Sequence, residues 1–210
     1  LLLFFFFLPF LSQYGDPSKV FYDTSNGGDI QAVLNQMAAE MECLVLVKGR
    51  YTYSGGEYLN LPKPIKICGQ GIGETILDGF GLQIKGSKSN GSVVIEDLSI
   101  QGGMGQGLYA YNGMDLIVRR CKVEKCQNLG VAAQNAHISC EDVQVVGCRN
   151  SGVFAYSGGT VKLSGETTRI EGNVTGGRSD LHGLTAWYSS KIQIVTPLIR
   201  DTISFSNSGG

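Results

Sequence analysis

The pentapeptides GLYAY (residues 107–111), GVAAQ (130–134) and GVFAY (152–156) follow one another at a spacing of about 22 residues. GLTAW (183–187) continues the series after an insertion of about nine residues. A fixed period of this length is typical of chains built from stacked supersecondary units. The stretch from 107 to 172 therefore decides the fold class.

Within each repeat, apolar and polar residues alternate with a period of two, which is typical of strands that have one buried and one outer face. About three such strands fit in a repeat, separated by turns rich in Gly, Asn and Ser. Strands that keep their register between repeats lie parallel, about 4.8 Å apart, around one interior. The sequence therefore predicts an all-β fold, a right-handed parallel β-helix with about 22 residues per coil.

Length and charge limit the other possibilities. The chain has 210 residues, the length of one domain, and its 30 glycines suit a fold that turns three times per coil. The formal net charge of −1 predicts no nucleic-acid partner, because domains that bind nucleic acid carry a basic surface. The chain begins at Leu1 and ends with SNSGG as if another coil were starting, so we expect a fragment that is truncated at the C-terminus or at both ends.

Residues 1–11, LLLFFFFLPFL, form an apolar stretch too short to cross a bilayer but suited to the central region of a signal peptide. A targeting or anchor remnant, an artefact of gene prediction and a hydrophobic strap on the β-helix end all remain open. The first interpretation indicates a secreted or membrane-associated location, with membrane contact only through this stretch. We predict an apolar segment and linker over 1–28 and a β-helix domain over 29–210.

Residues 29–41, DIQAVLNQMAAEM, are predicted to form a short helix. Asp29 is a suitable N-cap, and Ile30, Leu34 and Met41 belong to an apolar stripe at helical spacing. A short amphipathic helix before the first predicted strand would cover the open end of the β-helix, where backbone and core are otherwise exposed.

The helix DIQAVL (29–34), followed by a Gly-x-Tyr strand, a Lys-Pro-Ile strand, a Gly-x-Gly turn and TILDG (75–79), resembles the opening of the pectin-lyase-like superfamily. The resemblance covers residues 29–202. It implies a right-handed parallel β-helix with carbohydrate-binding or sugar-hydrolase type repeats. It implies no single activity, because the superfamily includes lyases, hydrolases, esterases, epimerases, adhesins and interaction modules.

A polysaccharide-degrading enzyme is the main alternative to a binding module. Of three motifs implied by the resemblance for a polygalacturonase-type hydrolase, only Leu181-His182-Gly183 is present, preceded by Asp180. Asp180, His182 and Arg178 are the candidate catalytic residues, because they lie in the insertion and loops on a rigid scaffold often carry function. A solvated loop is the alternative. No cofactor is expected, and Ca²⁺ only if the protein is a lyase.

The other charged residues are predicted to form a surface ladder. Glu96, Arg119 and Glu141 fall in one column of successive coils, and Asp97, Arg120 and Asp142 fall in the next; opposite charges at cross-strand distance pair on a surface.

The six cysteines include no Cys-x-x-Cys pair, so no metal site is predicted. Cys126 and Cys148 share a column that Asn173 continues. Stacked thiols and a disulfide are both compatible with that spacing. Asn173-Val174-Thr175 also matches the glycosylation sequon.

Aromatic residues in outward columns are the main functional signal. Tyr109 and Phe154 fall in one column, and Tyr111, Tyr156 and Trp187 fall in the neighbouring one. Outward rings are unusual because aromatic side chains normally gain stability from burial. Rings at regular intervals suit an extended glycan. The alternatives are structural stacking, with the rings covered by the loop around Asp180, and a protein-partner surface. We therefore predict a non-catalytic β-helix module that binds carbohydrate or another extended ligand, with a protein-interaction scaffold as a second alternative.

Overall fold

In the computed structural model, which describes residues 19–22, 30–36, 43–87, 91–198 and 203–207, the chain winds into a parallel β-solenoid. Each full coil contributes one short strand to each of three sheets. Leu116 lies opposite Val93 of the coil before and Ile138 of the coil after, which are offsets of 23 and 22 residues. The predicted all-β coil and its period are confirmed.

The described elements run in chain order. They are β1 (Lys19–Tyr22), α1 (Ile30–Gln36), β2 (Cys43–Leu46), β3 (Gly49–Thr52), β4 (Tyr58–Leu61), β5 (Lys66–Cys68), β6 (Thr75–Asp78), β7 (Gly81–Lys85), β8 (Ser92–Glu96), β9 (Ser99–Gln101), β10 (Leu108–Tyr111), β11 (Asp115–Arg119), β12 (Lys122–Glu124), β13 (Val131–Gln134), β14 (His137–Glu141), β15 (Gln144–Val146), β16 (Val153–Tyr156), β17 (Thr160–Ser164), β18 (Arg169–Glu171), β19 (Leu184–Ala186), β20 (Lys191–Ile194) and β21 (Ser204–Phe205).

The strands form three sheets in which hydrogen-bonded neighbours come from successive coils. Sheet A has the order β1-β2-β5-β8-β11-β14-β17-β20, sheet B the order β3-β6-β9-β12-β15-β18-β21, and sheet C the order β4-β7-β10-β13-β16-β19. Val161 of β17 lies opposite Ile192 of β20, so the insertion lengthens that coil without breaking the register.

The core lies between the three sheets and is filled by every second residue of each strand. In sheet C, one inward column holds Leu108, Val131 and Val153, and all three are fully buried. The other inward column holds small residues, among them Ala110 and Ala133, which are also fully buried. Burying a Leu or Val side chain stabilises the fold by about 1.5–3 kcal/mol. The apolar alternation in the repeat is therefore the main source of stability.

The helix α1 lies at the N-terminal end of sheet C, against the terminal strand β4. The Gln31 side chain donates to the backbone oxygen of Asn60 (3.1 Å) and accepts from its backbone nitrogen (2.9 Å), so it pairs with the open edge as a further strand would. Ile30 and Leu34 belong to the main core. Of the predicted helix 29–41, residue 29 and residues 37–41 lie outside the described residues.

The N-terminal stretch contains a strand that the sequence did not predict. β1 pairs in parallel with β2, within the stretch that we predicted to be a linker. The apolar residues 1–11 lie outside the described residues. In the part of the chain that is described, no helix has the length and apolar character needed to cross a membrane.

The first predicted charge column is confirmed and is more extensive than expected. Arg119 Nη1 bonds Glu96 Oε1 at 2.9 Å, and Arg119 Nε lies 3.3 Å from Glu141 Oε2. Lys66 joins from the preceding coil, with its Nζ 2.9 Å from Glu96 Oε2. The Glu96 side chain is only 9% exposed, so this carboxylate is the buried centre of the ladder.

The second predicted column is only half formed. Asp97, Arg120 and Asp142 occupy the corners between sheets A and B with left-handed φ values of 57°, 48° and 55°. Arg120 donates two hydrogen bonds to the Asp97 carboxylate, 2.7 and 2.8 Å long. The predicted ion pair between Arg120 and Asp142 is wrong, because it does not form in the described part of the chain. Asp142 Oδ1 instead accepts hydrogen bonds from the backbone nitrogen and the hydroxyl group of Thr167, both 3.0 Å long.

All six cysteines are free thiols. Asn173 continues the column of Cys126 and Cys148, as predicted: its Oδ1 accepts from the Cys148 backbone nitrogen (2.9 Å) and its Nδ2 donates to Val145 oxygen (3.0 Å). Asn173 is fully buried, so its sequon is inaccessible in the folded chain.

Candidate functional site

Six aromatic side chains form a cluster on the outer side of sheet C. Strand register places Tyr109, Ala132 and Phe154 in one outward column, and Tyr111, Gln134 and Tyr156 in the next. Inward residues between them fill the core, so the alternation of the strand fixes the rings on the outer side. We define the aromatic cluster as Tyr109, Tyr111, Phe154, Tyr156, Trp187 and Tyr188.

The rings of the cluster contact one another in two groups. Tyr109 and Tyr111 stack with centroids 4.9 Å apart and planes 15° apart. Phe154 lies 5.2 Å from Tyr156 and 5.0 Å from Trp187, the latter edge to face at 77°. These distances are those at which aromatic pairs attract each other. Part of the ring surface is therefore used within the cluster, as the stacking alternative predicted.

A polar centre joins the two halves of the cluster. The hydroxyl groups of Tyr109 and Tyr156 lie 2.9 Å apart, and Gln134 Oε1 accepts hydrogen bonds from both. Burial, followed by the hydrogen bond with Tyr156, raises the pKa of Tyr109 well above its ordinary value. The Tyr109 phenol therefore stays neutral near pH 7, and Gln134 fixes the orientation of the tyrosine pair. The sequence did not predict this role of Gln134.

Exposure divides the cluster. Phe154 faces outward as predicted but is only 6% exposed, because Leu129, Ala132, Val174 and Leu181 pack around it in a second apolar cluster. Tyr109 and Tyr156 are half-buried against the same group. The expectation that Phe154 lies on the solvent side is therefore wrong, because the insertion folds over it.

Trp187 and Tyr188 provide most of the accessible aromatic surface. Trp187 is 36% exposed and Tyr188 is 77% exposed, with ring centroids 6.3 Å apart. Tyr188 and Ser189 both have left-handed backbones, with φ of 52° and 60°. A left-handed backbone is unfavourable for a bulky residue, and residues strained in this way cluster at functional sites. Sequence reasoning missed Tyr188, although a second aromatic directly after the repeat's Ala-Trp dipeptide was a usable signal.

The insertion is fixed to the solenoid at both ends. Val174 and Gly176 donate backbone hydrogen bonds of 3.0 and 2.8 Å to Asn150 and Arg149 of the previous coil. Leu181 is buried beside Phe154, and the Thr185 hydroxyl bonds the backbone of His182. The residues between these anchors are exposed and lie at the margin of the aromatic cluster.

The structure brings two of the three candidate catalytic residues into direct contact. Arg178 donates two hydrogen bonds to Asp180, 3.0 and 2.6 Å long, and both side chains are exposed. The hydrogen bond from Arg178 is the main reason that the pKa of Asp180 lies below its ordinary value. A glycosidase acid needs the opposite shift, so that its carboxyl group is protonated near neutral pH. His182 is exposed two residues further on.

Lys85 adds a cation at the other end of the cluster, with its Nζ 5.6 Å from the centroid of the Tyr111 ring. The strands of sheet C contain no Asp or Glu between Tyr58 and Ala186. In the described residues, no three His, Cys, Asp or Glu side chains come together in a group that could hold a metal ion.

Comparison with known proteins identifies the fold family. The family model for a right-handed β-helix region matches residues 73–199, more than half of the chain and a range that includes the whole aromatic cluster. No curated protein and no solved structure matches the chain.

Proposed function

This chain belongs to the right-handed β-helix family, and on that basis we propose that it is a non-catalytic module that binds an extended carbohydrate along the aromatic cluster. The observation that carries the proposal is a cluster of aromatic side chains on one outer face, which is linked by ring contacts and a central pair of hydroxyl groups and ends in the exposed Trp187 and Tyr188. Sugars present apolar C–H surfaces and hydroxyl groups together, and a carbohydrate site needs aromatic area beside polar groups.

The cluster supplies both kinds of contact. Trp187 and Tyr188 offer apolar ring area, while the hydroxyl groups of Tyr109 and Tyr156 offer hydrogen-bonding groups that Gln134 holds in place. Side chains held by such hydrogen bonds lose little conformational entropy on binding, which favours affinity. The rigid parallel sheet beneath them adds to this preorganisation.

The charges around the cluster favour binding over hydrolysis. A glycosidase needs two carboxyl groups on either side of the scissile bond, one of them with a raised pKa. The strands beneath the cluster contribute no carboxylate, and Asp180 at its margin is paired with Arg178. These features support a binding role and leave the Arg178–Asp180 pair as a polar rim.

The proposal is tested by retention of the purified protein on polysaccharide gels and on a glycan array. The double variant Trp187→Ala/Tyr188→Ala is expected to weaken binding at least about 30-fold, the effect of losing about 2 kcal/mol at an aromatic hot spot. Phe205→Ala is the matched control, because Phe205 is 39% exposed but lies on sheet B. It should bind as the wild type does.

Two results would contradict the proposal. Equal retention of the wild type and the double variant would exclude the aromatic cluster as the binding surface. Release of new reducing ends or unsaturated products from a polysaccharide would instead identify an enzyme, and Asp180→Asn and His182→Gln would then be the variants to test.

A further inference from the structure

A cleft lies at the corner between sheets C and A, and no ring of the aromatic cluster lines it. It has a volume of about 400 Å³ and is lined by Gly113, Asp115, Asn135, Ala136, His137, Gly158 and Thr160. Three successive coils contribute to it. On each coil the strand of sheet C ends, the backbone turns, and the first residue of the next strand faces the cleft.

Asp115 has an unusual environment. Its Oδ1 is the one buried side-chain nitrogen or oxygen atom in the described part of the chain that has no hydrogen-bond partner. A carboxylate oxygen removed from water is strongly unfavourable unless a cation or a hydrogen-bond donor compensates it. In the strand register, Asp115 lies beside Ser92 of the coil before and His137 of the coil after. Neither neighbour is a Lys or Arg that could pair with the carboxylate.

His137 faces Asp115 from the next coil. The two residues directly precede Leu116 and Ile138, which are paired in the parallel ladder, so their side chains project from adjacent strands toward the same side. Ser139 Oγ lies 3.4 Å from His137 Nε2. A proton on Nε2 that is donated to Ser139 leaves Nδ1 as a lone-pair donor, and such an outer hydrogen bond is what normally orients a histidine that binds metal.

Two further residues with side-chain oxygen atoms line the cleft. Asn135 provides an amide oxygen from a left-handed corner residue (φ 45°), and Thr160 provides a hydroxyl group from the coil above His137. Imidazole nitrogen suits zinc and related transition metals, and carboxylate, amide and water oxygens complete the coordination of such ions. Gly113 and Gly158 have no side chain that would fill the space.

From this juxtaposition we propose that the cleft binds a divalent transition-metal cation, with Asp115 and His137 as its two principal ligands and Asn135, Thr160 or water completing the coordination. The site has two strong protein ligands, so its affinity is lower than that of a structural zinc site with four. The proposal is independent of carbohydrate binding at the aromatic cluster.

The probe is Zn²⁺ added to EDTA-treated, dialysed protein, followed by the imidazole resonances in NMR spectra. The chain has two histidines, His137 in the cleft and His182 in the insertion, so each spectrum contains its own reference. Saturable shifts are expected at His137, while the resonances of His182 stay in place. The proposal would be overturned if the His137 resonances did not shift, or if the His182 resonances shifted in parallel with them.

Variants test the ligands separately. Asp115→Asn and His137→Gln are each expected to weaken Zn²⁺ binding at least about tenfold, since even outer-shell changes cost 10–100-fold in affinity. Asp180→Asn and His182→Gln remove the same chemical groups from the exposed insertion and should leave the affinity unchanged. Equal affinity of wild type and Asp115→Asn would refute the site.

A measurement without metal guards against misfolded variants. In EDTA, Asp115→Asn should unfold at the same urea concentration as the wild type or at a higher one, because it replaces a carboxylate whose buried Oδ1 has no hydrogen-bond partner. A lower midpoint would mean that the carboxylate has a structural partner in the folded chain, and would overturn the proposal.

Discussion

Replacing Glu96 with Gln is expected to lower the free energy of unfolding by about 2 kcal/mol. The carboxylate is 9% exposed and bonds Lys66 (2.9 Å) and Arg119 (2.9 Å), with Arg120 at 3.5 Å. Gln has the same shape but loses the charge, and its amide group turns a donor toward cations. Removing one partner of a fully buried ion pair costs about 3–5 kcal/mol, and a single hydrogen bond to a charged group about 1.5–3 kcal/mol.

The lower part of that range applies because the three cations are 40–50% exposed and regain water when the carboxylate is lost. A loss of about 2 kcal/mol corresponds to a fall in melting temperature of about 4–8 °C for a domain of this size. Urea unfolding, followed by circular dichroism and by the fluorescence of the one tryptophan, measures the difference.

Glu141→Gln is the matched control for this prediction. Glu141 lies in the same column on the opposite side of Arg119, at 3.3 Å, but its side chain is 54% exposed. An exposed ion pair contributes about 0.2–1 kcal/mol, so this variant should change the free energy of unfolding by less than about 1 kcal/mol. If the two variants were equally destabilised, burial would not be what distinguishes them, and the reasoning would be refuted.

Three further predictions follow from the same contacts. Stability should be constant above about pH 5 and fall at lower pH. The reason is that ion pairs and hydrogen bonds hold the pKa values of Glu96, Asp97 and Asp78 below their ordinary values, against the opposing effect of burial. Melting curves from pH 7 to 3 test this prediction, and a flat profile would contradict it. Cys121 and Cys140 should react slowly with a thiol reagent at pH 8 in the native protein and rapidly in urea, because burial raises the pKa of each thiol to about 12. Fast reaction of either in the native protein would be the opposing result. Phe154→Ala should lower the free energy of unfolding by about 3–5 kcal/mol, and Tyr188→Ala by less than about 0.5 kcal/mol, both measured by urea titration. Similar values for the two variants would mean that the insertion does not cover Phe154.

The sequence alone was sufficient for the coil but not for the contacts between its outer side chains. Alternation and period determine which residues face inward, and the columns of Ala110, Ala133 and Ala155 are found where the repeat places them. What a residue bonds on the outer side depends on local backbone geometry. Asp142 illustrates this, because a turn at Thr167 competes with Arg120 for its carboxylate.

The candidate site was predictable in position and not in exposure. Register gave the outward columns of Tyr109 and Tyr156, but the covering of Phe154 depends on how the insertion folds. The insertion has no repeat partner from which its path could be inferred. Its buried Val174 adopts a left-handed φ of 64°, a conformation that a β-branched residue rarely adopts and that no local sequence preference would suggest.

The insertion also explains why the exposed rings lie at one end of the cluster. In a regular solenoid, each outward residue has equivalent neighbours one coil before and one coil after, so a column is buried or exposed as a whole. The lengthened coil between Asn173 and Gly183 breaks that equivalence by adding Leu181 over Phe154 and by leaving Trp187 beyond its edge. Apolar support and accessible ring area thereby come to lie side by side, which a repeat alone does not produce. A ligand that requires both would bind where the period is interrupted, and the Trp187→Ala/Tyr188→Ala variant tests that boundary.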